Sequence, residues 1–218
     1  MKKHILCFGD SNTHGFCADP MDCADGGNRF NESERWTCLL QKQLGDGYLV
    51  IEEGLGGRTT CFSDPLQEGA CGLDYLVPCL GSHEPVDLLI VMLGTNDTKD
   101  RFAASAGCIG EAMARLIQKA QSTICWSSKG PNILVIAPPP IGDGMLTSSV
   151  MPIMGLDCPA KSRELAKYYE AQCRLLGVCF LDAGALGCEF NQIDYMHLTR
   201  RGHARLADEL GKRIPQML

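Results

Sequence analysis

Three short runs, far apart in the chain, carry side chains able to work together: Gly9-Asp10-Ser11, Gly94-Thr95-Asn96-Asp97 and Asp194-Tyr195-Met196-His197. They offer a hydroxyl that can attack, an amide that can donate to a developing negative charge, an imidazole that can take a proton and a carboxylate that can orient it. Those are the parts needed for acyl transfer through a serine. Each run alone is weak evidence and has a plainer reading. Ser11 suits a helix N-cap after a strand. Asn96 and Asp97 suit a turn and the cap of the next helix. Asp194 and His197 could join a metal site, for which His14 is the nearest further ligand. Asp10 reads as a capping residue, and Gly9 lets the backbone turn tightly.

A fourth run, Gly54-Leu55-Gly56-Gly57-Arg58-Thr59-Thr60, is glycine-rich but lacks the lysine and spacing of a phosphate loop. It reads either as a flexible turn or as a backbone N–H, best supplied by Gly57, brought close to a reacting carbonyl.

These runs need elements to position them. Short apolar runs at His4–Phe8, Tyr48–Glu52, Leu88–Leu93, Ile133–Ala137 and Val178–Leu181 read as strands covered on both faces. Amphipathic stretches near Arg35–Leu44, Asp74–Leu80, Cys108–Thr123, Ala160–Leu176 and Thr199–Ile214 read as helices between them. That alternation predicts an α/β fold with a parallel sheet and right-handed crossovers. Ligands in such sheets bind beyond the carboxyl ends of the strands. Ser11, Gly54–Arg58, Asn96 and Pro138–Pro140 follow the first four strands, and Asp194 and His197 follow the fifth. All candidates therefore share one rim. Cys17–Asn31 reads as a loop near Ser11. Pro138–Pro159 reads as a long loop whose exposed methionines and Ile153 would wall an acyl pocket or a subunit contact.

The chain has 218 residues, 45% of them hydrophobic, with 20 Lys+Arg against 26 Asp+Glu. That size fits one domain spanning residues 1–218. No basic run with interleaved aromatics favours nucleic acid, and no polybasic amphipathic segment favours a membrane surface. Lys2 and Lys3 precede an apolar run too short for a signal peptide, so it reads as the first strand. The thirteen cysteines include no Cys-x-x-Cys and no zinc-ligand spacing. They read as free, small core residues, Cys7, Cys38, Cys79, Cys173 and Cys179 among them, in a reducing cytoplasm.

Phe8-Gly9-Asp10-Ser11-Asn12-Thr13, Gly57, Gly94-Thr95-Asn96-Asp97 and Asp194-x-x-His197 resemble the four blocks of the SGNH (GDSL-type) hydrolases. Ile51–Leu55, Arg58–Thr60 and Met92–Lys99 resemble the small bacterial arylesterase and acyltransferase branch. The resemblance implies a three-layer, flavodoxin-like fold with sheet order 2-1-3-4-5. It implies Ser11 as nucleophile, His197 as base and Asp194 as its partner. The Ser11 N–H, the Gly57 N–H and the Asn96 side chain would form an oxyanion hole. It implies no metal or organic cofactor, a small acyl-ester substrate, water or an alcohol as acceptor, and a homo-oligomer. Two features depart from that branch: His14 stands where relatives carry an aromatic residue, and the methionine-rich segment around Met145–Met154 differs.

The expected activity is hydrolysis of small acyl esters, acetyl esters foremost, through an acyl-enzyme, with acyl transfer as a variant. A carbohydrate deacetylase, a thioesterase and a lysophospholipase belong to the same expectation. From another class, a non-catalytic ligand-binding module would not need the full set of reactive groups.

Overall fold

The computed structural model describes residues 2–218. Five strands, β1 (Lys3–Gly9), β2 (Tyr48–Gly54), β3 (Leu88–Met92), β4 (Ile133–Ala137) and β5 (Cys179–Asp182), form one sheet in the order β2-β1-β3-β4-β5. Every pairing is parallel. The helices are α1 (Ser11–His14), α2 (Trp36–Leu44), α3 (Gly72–Ser82), α4 (Ala106–Gln121), α5 (Met151–Met154), α6 (Cys158–Leu176) and α7 (Arg200–Met217). The expected α/β fold and strand order are therefore observed.

The core follows the period of the strands, because successive side chains point to opposite faces. Leu6, Phe8, Leu89, Val91 and Val135 pack on one face with Leu76 of α3, Ile109 and Met113 of α4, and Leu165 and Tyr169 of α6. Ile5, Cys7, Leu88, Ile90, Leu134 and Ile136 pack on the other with Trp36 and Leu40 of α2 and Leu206 and Leu210 of α7. All five residues of β3 and of β4 are buried, as interior strands under two helical layers must be.

Three expectations need correction. Pro138–Pro159 is not one loop. It contains a 3-10 turn at Asp143–Thr147 and α5, and Pro159 lies inside α6. Proline suits the first turn of a helix, where its missing N–H has no intrahelical partner to lose. The methionines there are not all exposed. Met145 and Met154 are buried with Ile141, Cys158 and Met196 in a small separate core, whereas Ile153 and Leu156 do face solvent. Cys179 is exposed rather than in the core, because β5 is the outermost strand and pairs only with β4. All thirteen cysteines are free thiols. Among the described residues no helix is long and apolar enough to cross a membrane.

Candidate active site

Ser11 is the first residue of α1, immediately beyond the carboxyl end of β1. Asp10 caps that helix. Its Oδ1 accepts the Asn12 N–H at 2.9 Å, and its carbonyl accepts the N–H groups of Thr13 and His14. Gly54, at the end of β2, lets α1 sit directly against the sheet: a Cβ there would stand 2.1 Å from the His14 backbone nitrogen. These contacts fix the turn that presents the Ser11 hydroxyl.

The Ser11 Oγ lies 2.7 Å from His197 Nε2, and His197 Nδ1 lies 2.6 Å from Asp194 Oδ2. The three groups, distant in sequence, form one hydrogen-bonded chain. Asp194 Oδ1 accepts from the Asn191 side-chain amide at 2.9 Å and from the N–H groups of Met196 and His197 at 3.1 Å. Burial would raise the Asp194 carboxyl. The His197 hydrogen bond and charge, with the two backbone donors, outweigh burial and hold it at about 2. A carboxylate so held stays ionised and can orient an imidazole.

The loop bearing Asp194 and His197 is shaped by residues to which sequence reading assigned no role. Asn191 Oδ1 accepts the N–H groups of Ile193 and Asp194, while its amide also donates to the His197 carbonyl. Tyr195 adopts φ +63°, uncommon for a residue with a Cβ. Its ring lies over Gly144, where a Cβ would stand 2.3 Å from the ring atoms. The Phe16 ring packs against the His197 imidazole, with centroids 4.6 Å apart. Asn12 joins the two halves. Its Oδ1 accepts the Leu198 N–H at 2.9 Å and its Nδ2 donates to the Met196 carbonyl at 3.3 Å. Asn12 stands directly after Ser11, which was the one signal available in the sequence.

The further donors expected for an oxyanion, the Gly57 N–H and the Asn96 side chain, stand on two loops that touch one another. Asn96 Nδ2 donates to the Arg58 carbonyl at 3.1 Å, which binds the Asn96 loop beside Gly57. Asp97 reinforces the junction: its Oδ1 accepts both the backbone N–H of Thr60, at 2.9 Å, and the Thr60 hydroxyl. Gly57 has φ +80°, and Gln67 lies over it so closely that a Cβ would meet the Gln67 amide oxygen. The buried Arg58 guanidinium donates to the Gly9 and Glu53 carbonyls and covers the Phe8 ring. Thus Gly57 and Asn96 are brought to the rim that carries Ser11.

His14, considered for a metal, is half-buried near Arg29 and Gly54, and its imidazole is lowered by burial and then by Arg29 and Arg35. Among the described residues the three-donor group able to hold a metal is Glu53, Cys79 and His83, which includes neither His14 nor His197. A cavity of about 720 Å³ lies against Asn191 and Glu189 and is lined by neither Ser11 nor His197.

Residues 7–205 match the model of the GDSL-like lipase/acylhydrolase family. Solved structures agree over nearly the whole chain. An M. smegmatis aryl esterase is 34% identical, with a TM-score of 0.88, covering 99% of this chain and 100% of that one. A carbohydrate acetylesterase from Sinorhizobium meliloti is 33% identical, with a TM-score of 0.87 and full coverage of both chains. A search of curated proteins finds no significant match. The chain belongs to the GDSL-like lipase/acylhydrolase family, and its class of chemistry is carboxylic ester hydrolysis.

Proposed function

We propose that this chain is a serine esterase that cleaves small acyl esters, acetyl esters foremost, through an acyl-enzyme on Ser11. The observation that carries the reading is the chain Ser11 Oγ to His197 Nε2 to Asp194 Oδ2, at 2.7 and 2.6 Å. Ser11 Oγ attacks the ester carbonyl carbon, and its proton passes to His197 Nε2. Asp194 stabilises the imidazolium that forms. The carbonyl oxygen becomes an oxyanion held by the Ser11 and Gly57 N–H groups and the Asn96 amide. Collapse expels the alcohol, which takes the proton from Nε2. Water, or a second alcohol, then attacks the acyl-Ser11 bond by the same steps in reverse. With water the product is a free acid; with an alcohol it is a new ester.

The small-acyl preference is supported by likeness to an aryl esterase and a carbohydrate acetylesterase along the full chain. The second of these favours acetylated sugars as a specific alternative to simple aryl esters. The test is a chain-length series of p-nitrophenyl esters beside a panel of acetylated sugars, with Ser11→Ala as control. Wild-type turnover should be greatest with acetyl esters, and Ser11→Ala should lose several orders of magnitude in kcat while remaining folded. A fluorophosphonate should label Ser11 alone. An active alanine variant, or labelling elsewhere, overturns the assignment.

A further inference from the structure

Away from the Ser11–His197 pair, the carboxyl end of β2 meets the last turn of α3. Glu53, Cys79 and His83 place a carboxylate oxygen, a sulfur and an imidazole nitrogen within 4.8 Å of one another. His83 Nε2 stands 2.8 Å from Glu53 Oε1, and the Tyr75 hydroxyl donates to Glu53 Oε2 at 3.2 Å. Cys79 is fully buried, whereas the His83 side chain is 30% exposed. The group is thus closed on the protein side and open toward solvent. Cys79 and His83 are four residues apart at the end of α3, the spacing that stacks two side chains on one helical face. A glutamate–histidine hydrogen bond accounts for two of the three groups. The third is a sulfur, the donor that selects zinc-class ions over magnesium or calcium.

We propose that Glu53, Cys79 and His83 form a binding site for a divalent ion of the zinc class, separate from the ester-cleaving residues. On binding, the Cys79 S–H bond breaks, its proton leaves to solvent and the sulfur electron pair bonds the metal. The thiolate and the Glu53 carboxylate balance the two charges of the ion, so the neighbouring Arg58 guanidinium faces a neutral unit. The Arg58 Cζ lies over the Tyr75 ring at 5.2 Å. Donors around a tetrahedral zinc stand about 3.3–3.7 Å apart, so the Glu53–His83 contact need open by only about half an ångström. Tyr75 would hold the second Glu53 oxygen, an outer partner of the kind that orients carboxylate ligands. The fourth position faces solvent and takes water. Because Arg58 also binds the Glu53 and Gly9 carbonyls, an ion here would brace the end of β2 beneath the Gly54–Gly57 loop.

The test uses the whole chain, reduced and freed of metal with a chelator. Calorimetry with zinc should show one equivalent bound with proton release. Cobalt should give a thiolate charge-transfer band in the near-ultraviolet. Cys79→Ser should abolish that band. His83→Gln, at a partly exposed position that the fold tolerates, should weaken zinc binding beyond the roughly 10–100-fold that even outer partners cost. Both variants should retain hydrolysis of p-nitrophenyl acetate, which reports that they fold. Absence of one-equivalent zinc binding in the wild type, or a cobalt–thiolate band that persists in Cys79→Ser, overturns the proposal. The metal readouts do not depend on turnover, so failure of the esterase reading and failure of this one are distinguishable.

Discussion

The side-chain oxygen of Asn12 accepts the backbone N–H of Leu198 at 2.9 Å. With its amide donating to the Met196 carbonyl at 3.3 Å, the residue after Ser11 grips the chain on both sides of His197. Asn12 therefore helps to set the distance between hydroxyl and imidazole. Asn12→Ala removes both bonds and leaves the Leu198 N–H buried without this acceptor, at a cost of about 1–3 kcal/mol. It should also lower kcat by roughly 10²-fold with little change in KM, as expected when a reacting group drifts by about an ångström. Steady-state kinetics and a thermal melt separate the two effects. Unchanged kcat beside a lowered melting temperature would reduce Asn12 to a purely structural role.

The pairing of Asp194 with His197 predicts an ordered series of losses. His197→Ala removes the base and should cut kcat by about 10⁶, while Asp194→Asn should cost about 10⁴, as in other serine hydrolases dissected this way. Asp194, held at about 2 against an ordinary 3.8, stays ionised across the neutral range. Its folded value is depressed, so the stability it contributes is complete above pH 3.8 and is lost as pH falls through 2. Full activity in His197→Ala would point to a different base.

The sequence made the scaffold legible, and the reasons are local. β4 is observed as Ile133–Ala137, as read, and the other strands differ by one or two residues at one end or both. Uninterrupted apolar runs bounded by glycine, proline or polar residues leave little freedom. Thr199, read as the start of the last helix, caps α7 by accepting the Gly202 N–H. The segment around Met145–Met154 was misread because its turns are too short to show a period and its prolines look like breakers. Asn191 and Asn12 were assigned no role because their partners are set by the fold; Asp97, read as the cap of the next helix, instead lies inside a 3-10 turn, and Ser105 caps α4. An asparagine whose amide spans 186 positions to Leu198 has no local signature beyond being polar beside Ser11. Cys79 was read only as a free core thiol and His83 was given no role, since Glu53, which they meet, comes from another element.

Asn96 and Gly57 are predicted to act only once charge develops on the substrate oxygen. Asn96→Ala should reduce kcat by about 10²–10³ with KM nearly unchanged. Gly57→Ala should damage both parameters, for a different reason. At φ +80° a Cβ is strained, and it would meet Gln67 Oε1 at 1.9 Å, so the Gln67 amide must swing off the Gly56 carbonyl that it binds. Kinetics on a soluble acetyl ester would show the contrast. A change confined to KM in Asn96→Ala would make it a substrate-binding group instead.

Asp97 gives a prediction about stability and pH. It is fully buried, and its Oδ2 has no hydrogen-bond partner among the described residues. Burial raises its carboxyl to about 6 from 3.8, the Thr60 hydrogen bonds pull it down, and the nearby Asp10 charge raises it again. Here the folded value is the higher one. Between pH 3.8 and 6 the folded chain holds more protons than the unfolded chain, so this residue's contribution to stability declines as pH rises through that window. Asp97→Asn keeps an oxygen for the Thr60 donors but cannot ionise. The melting temperature of the variant relative to wild type should therefore climb from pH 4 to pH 7 and then level off. Melts of both proteins across that range would check it. A flat difference would mean that Asp97 ionises in the fold as readily as in the unfolded chain, and one that falls with pH that it ionises more readily.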